Sequence, residues 1–514
     1  MKNKKIKDEI VKESTNPPSN FHKKNRKIIS EQIEKKNNNI DKYLLLTWLK
    51  KNDFNLFSQL VLDNPKKILP LIYTPTIGDI CLNYSSLVPF LPQEGLIINL
   101  EDLPNLDKML VNYKKKFSAP QIAILTDGSR VLGLGDLGVN GFPICWGKSQ
   151  LLSIFSKITP EKILPIMFDC GTDNPKNLQD PLYPGLKQKR PNERNFYQAI
   201  DNLLKALTKN FPQILIHFED FQTKHALEML ERYQDKYLCF NDDIQGTGAV
   251  VLAGLINAIK KTKILPMQQR ILLVGAGGAS IGVAKMLLIY FQNEHNLTLK
   301  ETKKLIWMAD SKGLITEDRG DKLAKHKIFF VRKDNEGKQY QKLSEIINYV
   351  KPTILIGLSG KKGIFTPKVL QLMTKYNQKP IIFALSNPQT KAECTFAETM
   401  KYTNNQAIFA SGTDFPDYFT PENNKVYKNN QANNMYIFPG LELGVLLSKT
   451  KKITDSLIYI VAKCLAESLN ETETKEDSLY PNLTRIQTIS KQIAILIKQT
   501  LSKREKYSSL QQAN

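Results

Sequence analysis

Arg270-Ile271-Leu272-Leu273-Val274-Gly275-Ala276-Gly277-Gly278-Ala279-Ser280 is the stretch that decides the fold. Ile271 to Val274 read as a short buried strand, and the glycines break it into a turn. A helix follows from about Ile281 to Tyr290. Strand, glycine turn and helix in that order make the phosphate-binding corner of a dinucleotide fold. Gly275 permits the tight turn, and Gly277 lets the backbone approach a pyrophosphate. Ala279 and Ser280 stand at the helix start, where free N–H groups and partial positive charge collect. Ser280 replaces the third glycine of the pattern, with Gly282 two residues later. The next apolar run, 305–309, ends at Asp310 and Ser311, where an acid can bind ribose hydroxyls. The usual spacing to that acid is about 20 residues; here it is longer, so a long helix and loop separate the two strands.

Further strand-like runs at 354–356 and 381–385 continue this series. A second series precedes it, with runs at 121–125, 164–168 and 214–218 separated by helical segments at 195–207 and 225–233. Strands alternating with helices imply parallel, helix-covered sheets. Upstream, Leu45, Leu46, Leu49, Phe54, Leu56, Phe57, Leu60 and Val61 recur at helical spacing. The expected class is α/β. A helical N-terminal domain spans 41–94, and a central parallel-sheet domain spans 95–241, completed by 434–503. A Rossmann-type dinucleotide-binding domain is inserted over 242–433. Residues 1–40 read as a mobile basic arm and 504–514 as a polar tail.

Composition sets limits on function. Hydrophobic residues are 41% and charged residues 24%, ordinary for a globular protein, and no apolar run is long enough to span a membrane. The net charge of +22 invites a nucleic-acid reading. The sequence holds only 10 Arg against 62 Lys, and the lysines are spread along the chain. Arg is the residue that forks onto phosphate and guanine, so nucleic acid is not an expected partner. Cys81, Cys145, Cys170, Cys239, Cys394 and Cys464 form no CxxC pair, which argues against a disulfide framework or a zinc ribbon. The N-terminal segment has no apolar core of a secretory signal, and its acidic residues match a transit peptide poorly. The expected compartment is the cytoplasm, with a mitochondrial or related organelle left open.

Two acidic pairs carry the chemistry. Glu219-Asp220 ends the strand 214–218, at the carboxyl edge where open α/β sheets bind ligands. Asp242-Asp243 lies between Phe240-Asn241 and an apolar helix. Four carboxylates at two such positions need a cation, and oxygen ligands suit Mg²⁺ or Mn²⁺. His217, inside the apolar strand, reads as a core histidine rather than a ligand.

These residues resemble the malic enzymes over roughly 42–503. The resemblance rests on Tyr73-Thr-Pro-Thr-Ile-Gly78, Thr126-Asp-Gly-Ser-Arg130, Gly133-Leu-Gly-Asp-Leu-Gly138 and Asp180-Pro-Leu-Tyr183. It continues through Gln188-Lys-Arg190, Phe218-Glu-Asp-Phe221, Phe240-Asn-Asp-Asp-Ile-Gln-Gly-Thr247, Asp310-Ser-Lys-Gly-Leu314, Phe383-Ala-Leu-Ser-Asn-Pro388 and Asn433-Asn-Met-Tyr-Ile-Phe-Pro-Gly440. The resemblance implies oxidative decarboxylation of L-malate to pyruvate and CO₂ with NAD or NADP and a divalent metal. It implies Glu219, Asp220 and Asp243 as metal ligands and Lys148, held by Asp242, as the base toward the C2 hydroxyl. Tyr73 becomes the acid that protonates the enol. Arg130 becomes the carboxylate grip, and Asn387 and Asn433 line substrate and nicotinamide. A homodimer or homotetramer is also implied.

The chain departs from the family pattern in places. Pro143-Ile-Cys-Trp-Gly-Lys148 stands where Gly-Ile-Pro-Val-Gly-Lys is usual, which sets Trp146 two residues from the base. Asn52 stands where some members carry an arginine for a fumarate activator. Similar motifs serve a malolactic-type conversion of malate to lactate, and a catalytically silent structural relative is the rival from another class. For the cofactor the signals oppose each other. Asp310 disfavours a 2′-phosphate, whereas Lys322, Lys325 and Lys327 lie where NADP-using relatives have a phosphate-pairing lysine. The expectation is a protein that accepts NADP at least as well as NAD.

Overall fold

The computed structural model describes residues 20–512, apart from 132 and 422–423. A helix already runs over Asn20–Glu34, so the arm expected over 1–40 is corrected from residue 20; the rest of that expectation lies outside the described residues. Its Lys/Asn-rich sequence hides two apolar residues one helical turn apart. Ile29 and Ile33 sit on one face, and Ile33 is buried against the following helices. Arg26 also pairs with Asp63.

Helices Asn39–Asn52, Phe54–Asp63, Pro65–Ile72 and Thr76–Leu82 pack as one layer. Their ends are written in the sequence. The Asn38 side chain accepts from the Asp41 N–H at 2.8 Å, and the Asp53 side chain accepts from the Leu56 N–H at 2.9 Å.

Two sheets follow. The first contains β1 (Leu96–Asn99), β2 (Ile122–Thr126), β3 (Ile163–Asp169), β4 (Leu215–Phe218) and β5 (Cys239–Asn241). Their order is β1-β3-β2-β4-β5, all parallel. Strands β2, β3 and β4 are buried at every residue, which explains why they read as continuous apolar runs. The second contains β6 (Ile271–Val274), β7 (Ile306–Asp310), β8 (Gly313–Leu314), β9 (Ile354–Gly357), β10 (Ile381–Ala384) and β11 (Ile408–Ser411). Its order is β11-β10-β9-β6-β7-β8, parallel except for the β7–β8 pair. The strand order reverses between β6 and β9, the crevice where such sheets take ligands.

Helix Thr247–Lys260 links the two sheets, and the chain returns through Phe438–Ser448, Asp455–Ala466 and Ile486–Gln512. The first and last of these returning helices pack on Pro143–Ser156 of the first unit. The final helix extends through Gln512, so the segment expected as a tail is helical up to that residue. Among the described residues no helix is long and apolar enough to cross a membrane.

Candidate active site

The carboxyl edge of the first sheet faces that of the second across one cavity. Its wall includes Tyr73, Arg130, Lys148, Glu219, Asp220, Asp242, Asp243, Ala279, Asn387 and Asn433. The structure therefore gathers the expected catalytic, substrate and metal residues, which come from well-separated parts of the chain.

Each element delivers its residue for a local reason. Glu219 and Asp220 follow β4 directly, and Asp220 takes a left-handed backbone (φ 54°). That conformation is uncommon outside glycine and marks constrained, functional positions. The Asp220 N–H donates to the Asp243 carboxylate at 2.8 Å, and its carbonyl accepts from the Arg130 N–H at 3.1 Å. Asp242–Gly246 forms a single wide π turn before Thr247–Lys260, which swings both aspartates onto the cavity. Pro143 occupies the first turn of the helix bearing Lys148, where its missing N–H costs nothing. Trp146 turns away from the site: its indole N–H donates to the Glu94 carbonyl at 2.9 Å, and its ring packs on Phe142 and Tyr84.

Lys148 is the centre of a buried charge network. Its Nζ bonds Asp242 and lies 3.1 Å from Glu219 and 5.8 Å from the centre of the Tyr73 ring. Burial alone would lower the Lys148 pKa, but the charges of Asp242 and Glu219 outweigh it and hold it well above the usual value. Its carboxylate partners favour the ammonium form. Tyr73 shifts upward, chiefly through burial, which keeps its phenol protonated.

Three residues were not identified as site residues from the sequence. The Asn434 side-chain amide donates to the Asp242 carboxylate at 2.9 Å and to the Asp242 carbonyl at 3.1 Å. The neighbouring Asn433 lines the cavity and caps the Met435 N–H at 3.0 Å. His217 is buried as expected, yet it bridges two carboxylates: its ring nitrogens lie 3.0 Å from Glu219 and 2.6 Å from Glu442. Burial disfavours a charged imidazole, but Glu442 and Glu219 raise its pKa to about 10. Asn434 stood inside a quoted motif, beside Asn433, without a role of its own. Glu442 carried only one signal, a lone acid in an apolar helix.

The donor set fits a hard divalent cation. Burial raises the Asp220 pKa well above normal, with the Asp243 and Glu219 charges adding to it; Asp243 is pushed up to about 6 by burial and Glu219. The tightest grouping of possible ligand atoms is instead His217, Glu219 and Asp242, within 4.8 Å of one another. That grouping already holds an ammonium between Asp242 and Glu219, and His217 is taken by Glu442. Glu219, Asp220 and Asp243 share the cavity wall, and the upward shifts of Asp220 and Asp243 reflect burial and crowded negative charge that a cation would offset.

On the second sheet Gly275 has φ 105°, and a Cβ there would lie 2.4 Å from the Leu358 carbonyl oxygen. Gly282 takes the close-packing role of the fingerprint's third glycine, since a Cβ would come within 1.9 Å of the Ile244 carbonyl oxygen. Gly277 is open, with no heavy atom nearer than 3.5 Å to such a Cβ. Ser280 is fully buried and its hydroxyl has no partner, so its side chain does not reach the cavity. Asp310 and the exposed Ser311 lie outside the cavity wall. Asp310 is fully engaged: Arg319 donates at 2.8 and 3.1 Å, Lys327 at 2.7 Å and the Lys312 N–H at 2.9 Å.

The chain is similar to proteins of one family. A family model described as "Malic enzyme, NAD binding domain" matches residues 244–502, and "Malic enzyme, N-terminal domain" matches 50–234. The NADP-dependent malic enzyme of Dictyostelium discoideum is 39% identical over 461 residues, covering 90% of this chain and 83% of that protein. The mitochondrial NAD-dependent malic enzyme of Ascaris suum is 38% identical, covering 90% and 71%. Among solved structures, Entamoeba histolytica malic enzyme aligns with a TM-score of 0.56 at 22% identity, covering 85% of this chain and 76% of that one. The NAD-dependent malic enzyme of Thermotoga maritima gives 0.54 at 22%, covering 79% and 94%. At that identity the two structures speak to the fold alone.

Proposed function

Because the chain belongs to the malic enzyme family and is an enzyme of the NAD(P)-dependent malic type, we propose that it converts L-malate to pyruvate and CO₂ with a divalent ion held by Glu219, Asp220 and Asp243. The observation that carries this reading is Lys148, buried between Asp242 and Glu219 and beside Tyr73, on a cavity that Arg130 also lines. When bound, Mg²⁺ or Mn²⁺ supplies Lewis-acid polarisation of the C2 oxygen and offsets the carboxylate charge around it.

Arg130 grips a malate carboxylate with its planar fork. Lys148, whose neutral form would be favoured once a divalent cation offsets the charge of Glu219, would take the C2 hydroxyl proton at Nζ, with Asp242 and Asn434 fixing its position. Asn387 and Asn433, on the cavity wall, would hold the nicotinamide, which when bound would accept the C2 hydride. The C3–C4 bond then breaks, releasing CO₂. Tyr73, kept protonated by its burial, delivers a proton to C3 of the resulting enol. The decisive assay supplies L-malate, Mn²⁺ and either cofactor, and follows reduced cofactor and pyruvate together. Equal yields are expected, and full turnover in excess EDTA overturns the metal assignment. Lactate without reduced cofactor would select the malolactic reading.

The reading extends to cofactor choice. Arg319, Lys327 and Lys312 outnumber the two carboxylates, Asp310 and Asp321, that they pair with. Asp310 is thus neutralised by its own neighbours, and a 2′-phosphate meets net positive charge. NADP is expected to serve at least as well as NAD. A homodimer or homotetramer is part of the same reading and is checked by sedimentation.

A further inference from the structure

Glu393 is fully buried, and among the described residues no basic side chain pairs with it. A buried carboxylate without a counter-ion survives only if hydrogen bonds replace its water. Here two loops supply them. One carboxylate oxygen accepts from the Ser359 N–H at 2.9 Å, the Ser359 hydroxyl at 2.9 Å and the Ser386 hydroxyl at 2.5 Å. The other accepts from the Ser386 N–H at 3.1 Å. The two serine oxygens in turn accept from backbone: Ser386 from the Gly360 N–H at 2.8 Å, and Ser359 from the Lys361 N–H at 3.1 Å.

Those loops leave the carboxyl ends of β9 and β10, which pair with Gly357 opposite Ala384. Leu358, Gly360, Leu385, Ser386 and Asn387 line the cavity, and Leu358 is the residue against which Gly275 packs. The carboxylate therefore fixes both loops at the crevice between β9 and the glycine turn of β6. The strand makes room for it. A Cβ at Gly357 would stand 2.6 Å from Glu393 Cγ and Cδ.

We propose that Glu393 is a positioning residue for the dinucleotide: its buried carboxylate ties the 358–360 and 385–387 loops into one rigid wall for the nicotinamide half of the cofactor. The inference rests on the reading of Asn387 as cofactor-facing. Fixing the wall before binding removes an ordering cost from the association. A role in stability alone would leave cofactor affinity untouched.

The test measures NADPH and NADH affinity by fluorescence titration in Glu393→Gln, Ser359→Ala, Gly357→Ala and Asn387→Ala proteins, with thermal melts alongside. Glu393→Gln keeps the shape but turns an amide donor toward donors. Losing such charge-assisted bonds predicts roughly tenfold or more weaker binding of the preferred cofactor. KM for malate should stay within about twofold, well under that tenfold step. Ser359→Ala, outside the cavity wall, should weaken affinity in the same direction by less, and it decides the matter if Glu393→Gln does not fold. Gly357→Ala should mimic Glu393→Gln by displacing the carboxylate. Folded Glu393→Gln and Ser359→Ala proteins with wild-type affinity would overturn the proposal, provided Asn387→Ala binds weakly. Wild-type affinity in Asn387→Ala would instead overturn the site reading beneath it.

Discussion

The two sheets hold acids at their carboxyl edges under opposite electrostatic conditions. At the edge of the first, Glu219, Asp220, Asp242, Asp243 and Glu442 crowd around Lys148, Arg130 and His217. At the edge of the second, Asp310 is matched by Arg319 and Lys327, and Glu393 is satisfied by four hydrogen bonds. A carboxylate that the protein itself completes shapes the wall. Carboxylates crowded together, as Asp220 and Asp243 are, have pKa values raised by burial and by neighbouring charge, and they suit a ligand that brings positive charge. The difference separates scaffold from chemistry without reference to any motif.

The largest effect should come from the residue that balances the first edge. On the proposed mechanism, Lys148→Ala should cut kcat by roughly 10²- to 10⁴-fold. A kcat within about threefold of wild type, far below that range, would mean that another group takes the proton.

Breaking the His217–Glu442 pair tests whether the first edge is as tightly balanced as it looks. His217→Ala leaves Glu442 buried and unpaired, and removing one partner of a buried pair costs about 3–5 kcal/mol. Adding Glu442→Ala should recover part of that loss in a denaturant melt. Strictly additive costs would show that the two side chains do not compensate each other.

The charge deficit itself is open to direct titration. Mn²⁺ should raise the melting temperature of the wild-type protein, with about 2.7 kcal/mol gained at a hundred times Kd. Asp220→Ala should abolish that rise while leaving the metal-free protein folded. An equal rise in both proteins would place the ion elsewhere.

The mildest change is expected at the second edge. Lys327→Ala should lower kcat/KM for NADP by about tenfold, or 1.4 kcal/mol, and leave the NAD value nearly unchanged. A wild-type preference for NAD above about tenfold, the same 1.4 kcal/mol, would show that Asp310 dominates despite its partners.

Much of this was readable in the chain, for identifiable reasons. Strands β2, β3, β4, β6, β7, β9 and β10 announced themselves because buried parallel strands are nearly all apolar. The acids stood out because they interrupt such runs. What escaped depended on distance or on environment. His217 and Glu442 are 225 residues apart, so neither could identify the other. The Asn20–Glu34 helix is held by Ile33 against a layer whose arrangement only tertiary structure supplies.

Asn434 has a consequence for how the protein comes into being. It is the residue at which the chain re-enters the first unit after the second sheet, and it grips Asp242, the residue at which the chain left. A growing polypeptide can pair Lys148 with Asp242 early, but it cannot secure Asp242 until the whole intervening sheet has been synthesised and has brought residue 434 home. Competence is thus gated by completion. A fragment truncated before this point would keep its acidic residues yet lack the brace on the one that steadies Lys148, so proteolytic or translational stubs would be poor catalysts by construction.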